Sequence, residues 1–366
     1  MIRSLRLLTL IFVSSGLLAV NTLAQKASLD KQNPIHFEFQ GLNSFSQPDA
    51  LKEVLQVIKN TNPSQSTIND AAKVLKNILA GRGYMDASVI GLRMEGSNVI
   101  RFVVDEGSRY SITSLTFVGN KHFTVAELSS RLQESLSASS GKTESGYDRE
   151  VLEYGLRRLA DHMRSEGYLQ ARLGEPQIRV VGAGLAITIQ TTEGPLCRLG
   201  NLKIDGVQAM SLEEVRSLLP MTKGEVASGE KIGKWLFEDL RRLYGEKGFI
   251  QYTAEPIPLF KNNPRNSEEG IVDLEVQIEE GKQFTFRSLT IEGENLSQKQ
   301  LADYFVLNVG DVFNERLLQE SVARINKTGL FEPVDADKDV DFKTDQENGT
   351  VSLVLKLNRK KVANSQ

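Results

Sequence analysis

Covalent or metal chemistry needs titratable or nucleophilic side chains at workable spacing, and this chain offers few. Its 366 residues include three histidines, His36, His122 and His162, and one cysteine, Cys197. Those numbers cannot build a Cys/His zinc site or a disulfide framework. Aspartates alternate at Asp335, Asp337, Asp339 and Asp341, which is how an EF-type calcium loop begins. Such a loop turns on a glycine after its third Asp and closes on Glu at its twelfth position, where this chain has Val340 and Gln346. The alternation therefore reads as the solvated face of a strand, its charge discouraging edge aggregation. Gly182-Ala183-Gly184 joins two strand patterns and reads as a hairpin turn rather than a phosphate loop. Glu213-Glu214 and Glu268-Glu269 fall at a helix start and in a loop, where capping and solvation suffice. Cys197 reads as a small buried side chain and Trp235 as packing. The expectation is a non-enzyme with no catalytic, cofactor or metal residues. A net charge of −3, from 44 Lys plus Arg against 47 Asp plus Glu, also argues against nucleic acid as a partner.

What remains informative is organisation. Glu-Gly closes an alternating apolar run at Glu106-Gly107, Glu193-Gly194 and Glu280-Gly281, at intervals of 87 residues. Leu115, Phe117 and Gly119 recur as Leu202, Ile204 and Gly206, then as Leu289, Ile291 and Gly293, at the same interval. Phe37, Phe39 and Gly41 open a shorter first unit. Helix caps follow each strand: Thr124 with Glu127, Ser211 with Glu214, Ser297 with Gln300. In the first unit Leu51, Val54, Leu55 and Ile58 mark the corresponding helix.

A second helix shows one apolar stripe per unit: Ile68, Ala72, Leu75 and Leu79; Leu152, Leu156, Leu159 and Met163; Ile232, Leu236, Leu240 and Leu243; Leu317, Leu318, Val322 and Ile325. It stops at a Gly followed by a bulky residue that can fold back on the last turn: Gly83-Tyr84, Gly167-Tyr168, Gly248-Phe249, Gly329-Leu330. Two strands close each unit, as in Ala87 to Met94 with Asn98 to Asp105, and Val334 to Lys343 with Thr350 to Leu357. The fold class is α+β, four tandem βααββ repeats forming an elongated articulated arm. The units span 35–107, 108–195, 196–282 and 283–358, after a linker at 25–34 and before a polar tail at 359–366.

Residues 1–24 carry Arg3 and Arg6, an apolar stretch from Leu7 to Val20, and Thr22-Leu23-Ala24 before Gln25. This is the pattern of a cleavable secretory signal, and no later run approaches the ~20 apolar residues of a membrane span. The chain is expected to be exported.

The strand Thr116-Phe117-Val118-Gly119-Asn120, the segment Gly167-Tyr168-Leu169-Gln170-Ala171, the closing Glu-Gly pairs and the run Ile325 to Phe331 resemble the polypeptide-transport-associated (POTRA) domain. That resemblance covers nearly all of the chain after the signal, without the carboxy-terminal barrel of the best-known members. It implies a periplasmic scaffold in outer-membrane protein assembly or translocation, whose partners are an outer-membrane barrel protein or assembly machinery and extended client polypeptides, with membrane proximity through those partners. It also implies that the second strand of a unit is an exposed edge. In unit one Ala87, Ser88, Val89, Ile90, Leu92 and Met94 then form a proline-free edge for strand augmentation. Pro256 and Pro258 should block the edge in unit three. Short connections at Gly107, Gly194 and Gly281 are the expected hinges. The rival readings are an envelope adaptor for a division or wall complex and a secreted hydrolase.

Overall fold

The computed structural model describes residues 35–139, 146–264, 266, 268–293 and 304–358. The expected signal segment, linker, polar tail and the Ser297–Gln300 cap lie outside the described residues.

The first segment contains β1 (His36–Gln40), α1 (Gln47–Val57), α2 (Gln65–Gly81), β2 (Ser88–Arg93) and β3 (Val99–Asp105). Ser46 starts α1 by accepting the Asp49 N–H, with Pro48 in the first turn, and Ser64 starts α2 by accepting the Thr67 N–H. Alternation on β3 sends Ile100, Phe102 and Val104 to the helices. They meet Ile68, Ala72, Leu75 and Leu79, the stripe expected on α2. The sheet order is β1-β3-β2, with β1 parallel and β2 antiparallel to the central β3.

The same succession recurs. β4 (Ser111–Val118), α3 (Val125–Ser139), α4 (Arg149–Ser165), β5 (Arg172–Leu173), β6 (Gln177–Val181) and β7 (Gly184–Thr192) make a four-stranded sheet with β7 inside. Gly174 and Pro176 interrupt its second strand into β5 and β6, and Gly182-Ala183 turns β6 into β7. Next come β8 (Leu196–Asp205), α5 (Leu212–Ser217), α6 (Gly229–Lys234), α7 (Leu240–Glu246), β9 (Thr253–Asn262) and β10 (Glu269–Glu279), ordered β8-β10-β9. β11 (Thr285–Glu292), α8 (Glu315–Lys327), β12 (Val340–Asp345) and β13 (Thr350–Lys356) form the last sheet, ordered β11-β13-β12. Two compact units arise by contact. One takes in residues up to Val118 with Val125–Leu156 and Gly174–Gln190; the other takes in Gly119–Thr124, Arg157–Leu173 and Thr191 onward.

The Glu-Gly landmarks have a physical basis. Glu106 Oε1 accepts the N–H groups of Asn43 and Ser44, both at 2.8 Å. Glu193 accepts those of Lys121, His122 and Phe123, and Glu280 those of Gln208 and Ala209. Each carboxylate thus ties the end of the central strand to the turn that leaves the first strand. The following glycines have φ of +66°, +73° and +71° at Gly107, Gly194 and Gly281, a region other residues enter at a cost.

Three expectations change. The second helix of the third segment is not regular α-helix throughout: its backbone runs on from α6 to α7 through a π-helical turn at Trp235–Asp239. There Trp235 is fully buried and donates from Nε1 to the Val215 carbonyl at 2.9 Å. The aspartate run is mostly a turn, and the expected strand from Val334 begins only at Val340. Asp335 accepts the Asp337 N–H on its carboxylate, and the Asp339 carboxylate accepts the Asp335 N–H. Short acidic side chains bond local backbone and so displace the ladder. Finally, Leu330 does not fold back on α8 but is 61% exposed, while Phe331 takes the core position.

Candidate strand-docking edge

Antiparallel partners alternate between pairs that exchange both backbone hydrogen bonds and pairs that exchange none. The Met94 N–H donates to the Val99 carbonyl at 3.0 Å. Following the β2–β3 register from that pair, Leu92, Ile90 and Ser88 also turn their backbone groups to β3. Val89, Gly91 and Arg93 turn theirs outward. Of the six residues proposed from sequence, then, only Val89 offers backbone to an added strand. Ser88, Ile90, Leu92 and Met94 are committed to β3, and Ala87 precedes the strand, buried, with its N–H on the Tyr84 carbonyl. Ile90 and Leu92 contribute exposed side chains instead, 57% and 44% accessible. Gly91 and Arg93 were missed because apolar content draws attention to side chains, whereas augmentation is decided by backbone phase.

The other second strands differ. The Asn263 N–H donates to the Glu269 carbonyl. That register puts Pro256 and Pro258, opposite Val276 and Leu274, in the outward-facing set. Two of the outward donors of β9 are therefore missing. On β12 the Lys356 N–H on the Asp339 carbonyl puts Val340, Phe342 and Thr344 outward. The Phe342 ring there meets Phe313 edge-on at 5.7 Å. β6 is short and ends in two exposed valines, Val180 and Val181.

The expected hinges are braced. Gly83, past the end of α2, accepts the Tyr110 N–H at 2.9 Å, and the Tyr110 carbonyl accepts the Tyr147 N–H at 2.8 Å. The same pair of bonds recurs through Gly167, Cys197 and Ala227, and through Gly248, Phe284 and Phe313. Leu169 packs on the core of the third sheet and Ile250 on that of the fourth. A swing at Gly194 or Gly281 has to disturb these contacts as well as the backbone.

Among the few candidate chemical groups, Glu193 and His122 are in contact, with Nδ1 and Oε2 2.8 Å apart. Glu193 is 4% exposed. Burial acts to raise its carboxyl, but the N–H groups of His122, Lys121 and Phe123 and the His122 ring outweigh it and hold the group below its ordinary value. The His162 ring lies edge-on to Phe123 at 6.2 Å, and His36 is exposed. Cys197 is a buried free thiol pushed up by burial. Among the described residues no three His, Cys, Asp or Glu side chains are grouped to hold a metal, and no helix is long and apolar enough to cross a membrane.

The family model described as POTRA, surface antigen variable number repeat, matches residues 110–194, 197–281 and 284–360. The chain belongs to the POTRA family. Two curated relatives are similar over most of its length. A putative outer membrane protein assembly factor of Treponema pallidum (strain Nichols) is 23% identical over 302 residues, covering 78% of this chain and 34% of the relative. The outer membrane protein assembly factor BamA of Buchnera aphidicola is 22% identical over 340 residues, covering 88% of this chain and 51% of the relative. The chain thus spans about a third to a half of the curated relatives it matches. The crystal structure of Haemophilus influenzae BamA POTRA3-5 superposes with a TM-score of 0.55 at 20% identity, over 69% of this chain and 97% of that one. The α+β POTRA fold is common to both.

Proposed function

We propose that this chain is a periplasmic, non-enzymatic POTRA scaffold in outer-membrane protein assembly, holding extended client segments partly by strand augmentation on β2. The observation that carries the reading is β2 itself: a proline-free edge with outward backbone at Val89, Gly91 and Arg93, beside exposed Ile90 and Leu92. Assembly-factor relatives support the setting. In this reading residues 1–24 are the export signal, and residues 35–107 form a first POTRA unit before units at 108–195, 196–282 and 283–358. Assembly machinery and an outer-membrane barrel protein are the partners.

A photoreactive residue at Ile90 tests this in intact cells. Capture of unfolded outer-membrane proteins there, and not from Leu259 on β9, supports the reading. Equal capture from both sites, or capture of division and wall proteins alone, refutes it.

A further inference from the structure

The outward carbonyl in the middle of β2 already has a partner. Gln65, the first residue of α2, donates from Nε2 to the Gly91 carbonyl at 2.9 Å and from the same nitrogen to Asn69 Oδ1 at 2.8 Å. Glycine at position 91 permits this approach. A Cβ there would stand 2.5 Å from Ile68 Cγ2, so any larger residue would push the start of α2 away. Arg93 reciprocates, its Nη2 donating to the Pro63 carbonyl at 2.8 Å. Two side chains therefore bind the N-terminal end of α2 to the free side of β2.

We propose that Gln65 is a placeholder on the docking edge: it occupies the Gly91 carbonyl in the free protein and leaves when an extended client pairs with β2. This rests on the augmentation reading above. Outward groups recur at every second residue, so a client spanning β2 must bond at Val89, Gly91 and Arg93 in succession. It cannot skip Gly91 without splitting its own ladder.

The flanks of the edge define the client. On the face turned away from the helices stand exposed Ile90 and Leu92, with Val103 opposite Ile90. On the helix side stand the exposed amides of Gln65 and Asn69. The complementary segment is apolar at alternate residues and uncharged but polar at the others. Strands of a transmembrane barrel carry that two-faced pattern, apolar outward and polar inward.

The test titrates the full chain with a peptide of alternating valine and threonine bearing a lysine at each end. Wild type is compared with Gln65→Ala and Gln65→Glu, neither of which can donate to the Gly91 carbonyl. Both variants should bind about five-fold tighter, the worth of one neutral hydrogen bond not broken, with amide shifts centred on Val89, Gly91 and Arg93. Shifts confined to β2 with equal or weaker binding by the variants overturn the placeholder and leave augmentation standing. No binding by any of the three, or shifts elsewhere, overturns augmentation and the placeholder with it. Gln65→Glu introduces an acidic group into the first turn, which has none in the wild type, and so favours α2. A gain seen in Gln65→Ala alone, together with a lowered melting temperature, would trace to helix loosening and also overturn the proposal.

Discussion

Replacing Glu193 probes the device that repeats through the chain. Its carboxylate accepts N–H groups from Lys121 and His122 at 2.8 Å and Phe123 at 3.2 Å, and contacts His122 Nδ1 at 2.8 Å. Hydrogen bonds to a charged group contribute about 1.5–3 kcal/mol each, and stranded donors lose more than paired removal suggests. Water entering the cut turn recovers part of that. Glu193→Ala should therefore cost about 2–4 kcal/mol locally, and Glu193→Gln less, because one acceptor oxygen survives. Hydrogen exchange at the amides of Lys121, His122 and Phe123 reads the turn directly. A loss of 2–4 kcal/mol lowers protection by about 30- to 900-fold.

The pH dependence gives an independent check. The Glu193 carboxyl is held below its ordinary value in the folded chain. Its contribution is therefore complete above an unfolded value of about 4.3 and is lost as pH falls through the lower folded value. The gap in urea stability between wild type and Glu193→Gln should be widest near neutral pH and narrow in acid. A gap under about 0.5 kcal/mol at neutral pH, the level of an ordinary surface change, would refute the reasoning. So would a gap that widens in acid.

Gly248→Ala should destabilise by about 2–3 kcal/mol in thermal unfolding, combining the left-handed backbone penalty with crowding. Its φ is +85°, and an added Cβ would meet the Phe284 carbonyl and Val312 Cγ1 at 2.9 Å each. A loss below 0.5 kcal/mol would contradict the brace. Pro256→Val with Pro258→Val restores two outward donors on β9 and should confer peptide binding, or self-association visible in sedimentation, on that edge. No change in either measurement would show that something other than the prolines protects it.

Much of the fold was legible because its causes are local. Period-two strands, 3.6-period stripes such as Ile68, Ala72, Leu75 and Leu79, and glycines that stop helices are all set by backbone sterics and by burial of one face. The aspartate run was harder. Alternation suits a strand, but Asp335 and Asp339 bond neighbouring backbone and make a turn. The π turn at Trp235–Asp239 was also hidden, since Ile232, Leu236, Leu240 and Leu243 keep helical spacing through it and pack on one core.

The docking edge shows where sequence stops being sufficient. Composition along Ala87 to Met94 established a strand free of proline, and the resemblance to the POTRA domain implied an outer one. Which carbonyls face outward depends on a single pairing, Met94 with Val99, that arises only when β2 and β3 meet. Whether an outward carbonyl is free depends on how closely α2 approaches, and Gln65 reaches Gly91 across 26 residues of chain. Propensity and pattern act between near neighbours along the chain. Backbone phase and occupancy are set between segments that become neighbours only on folding.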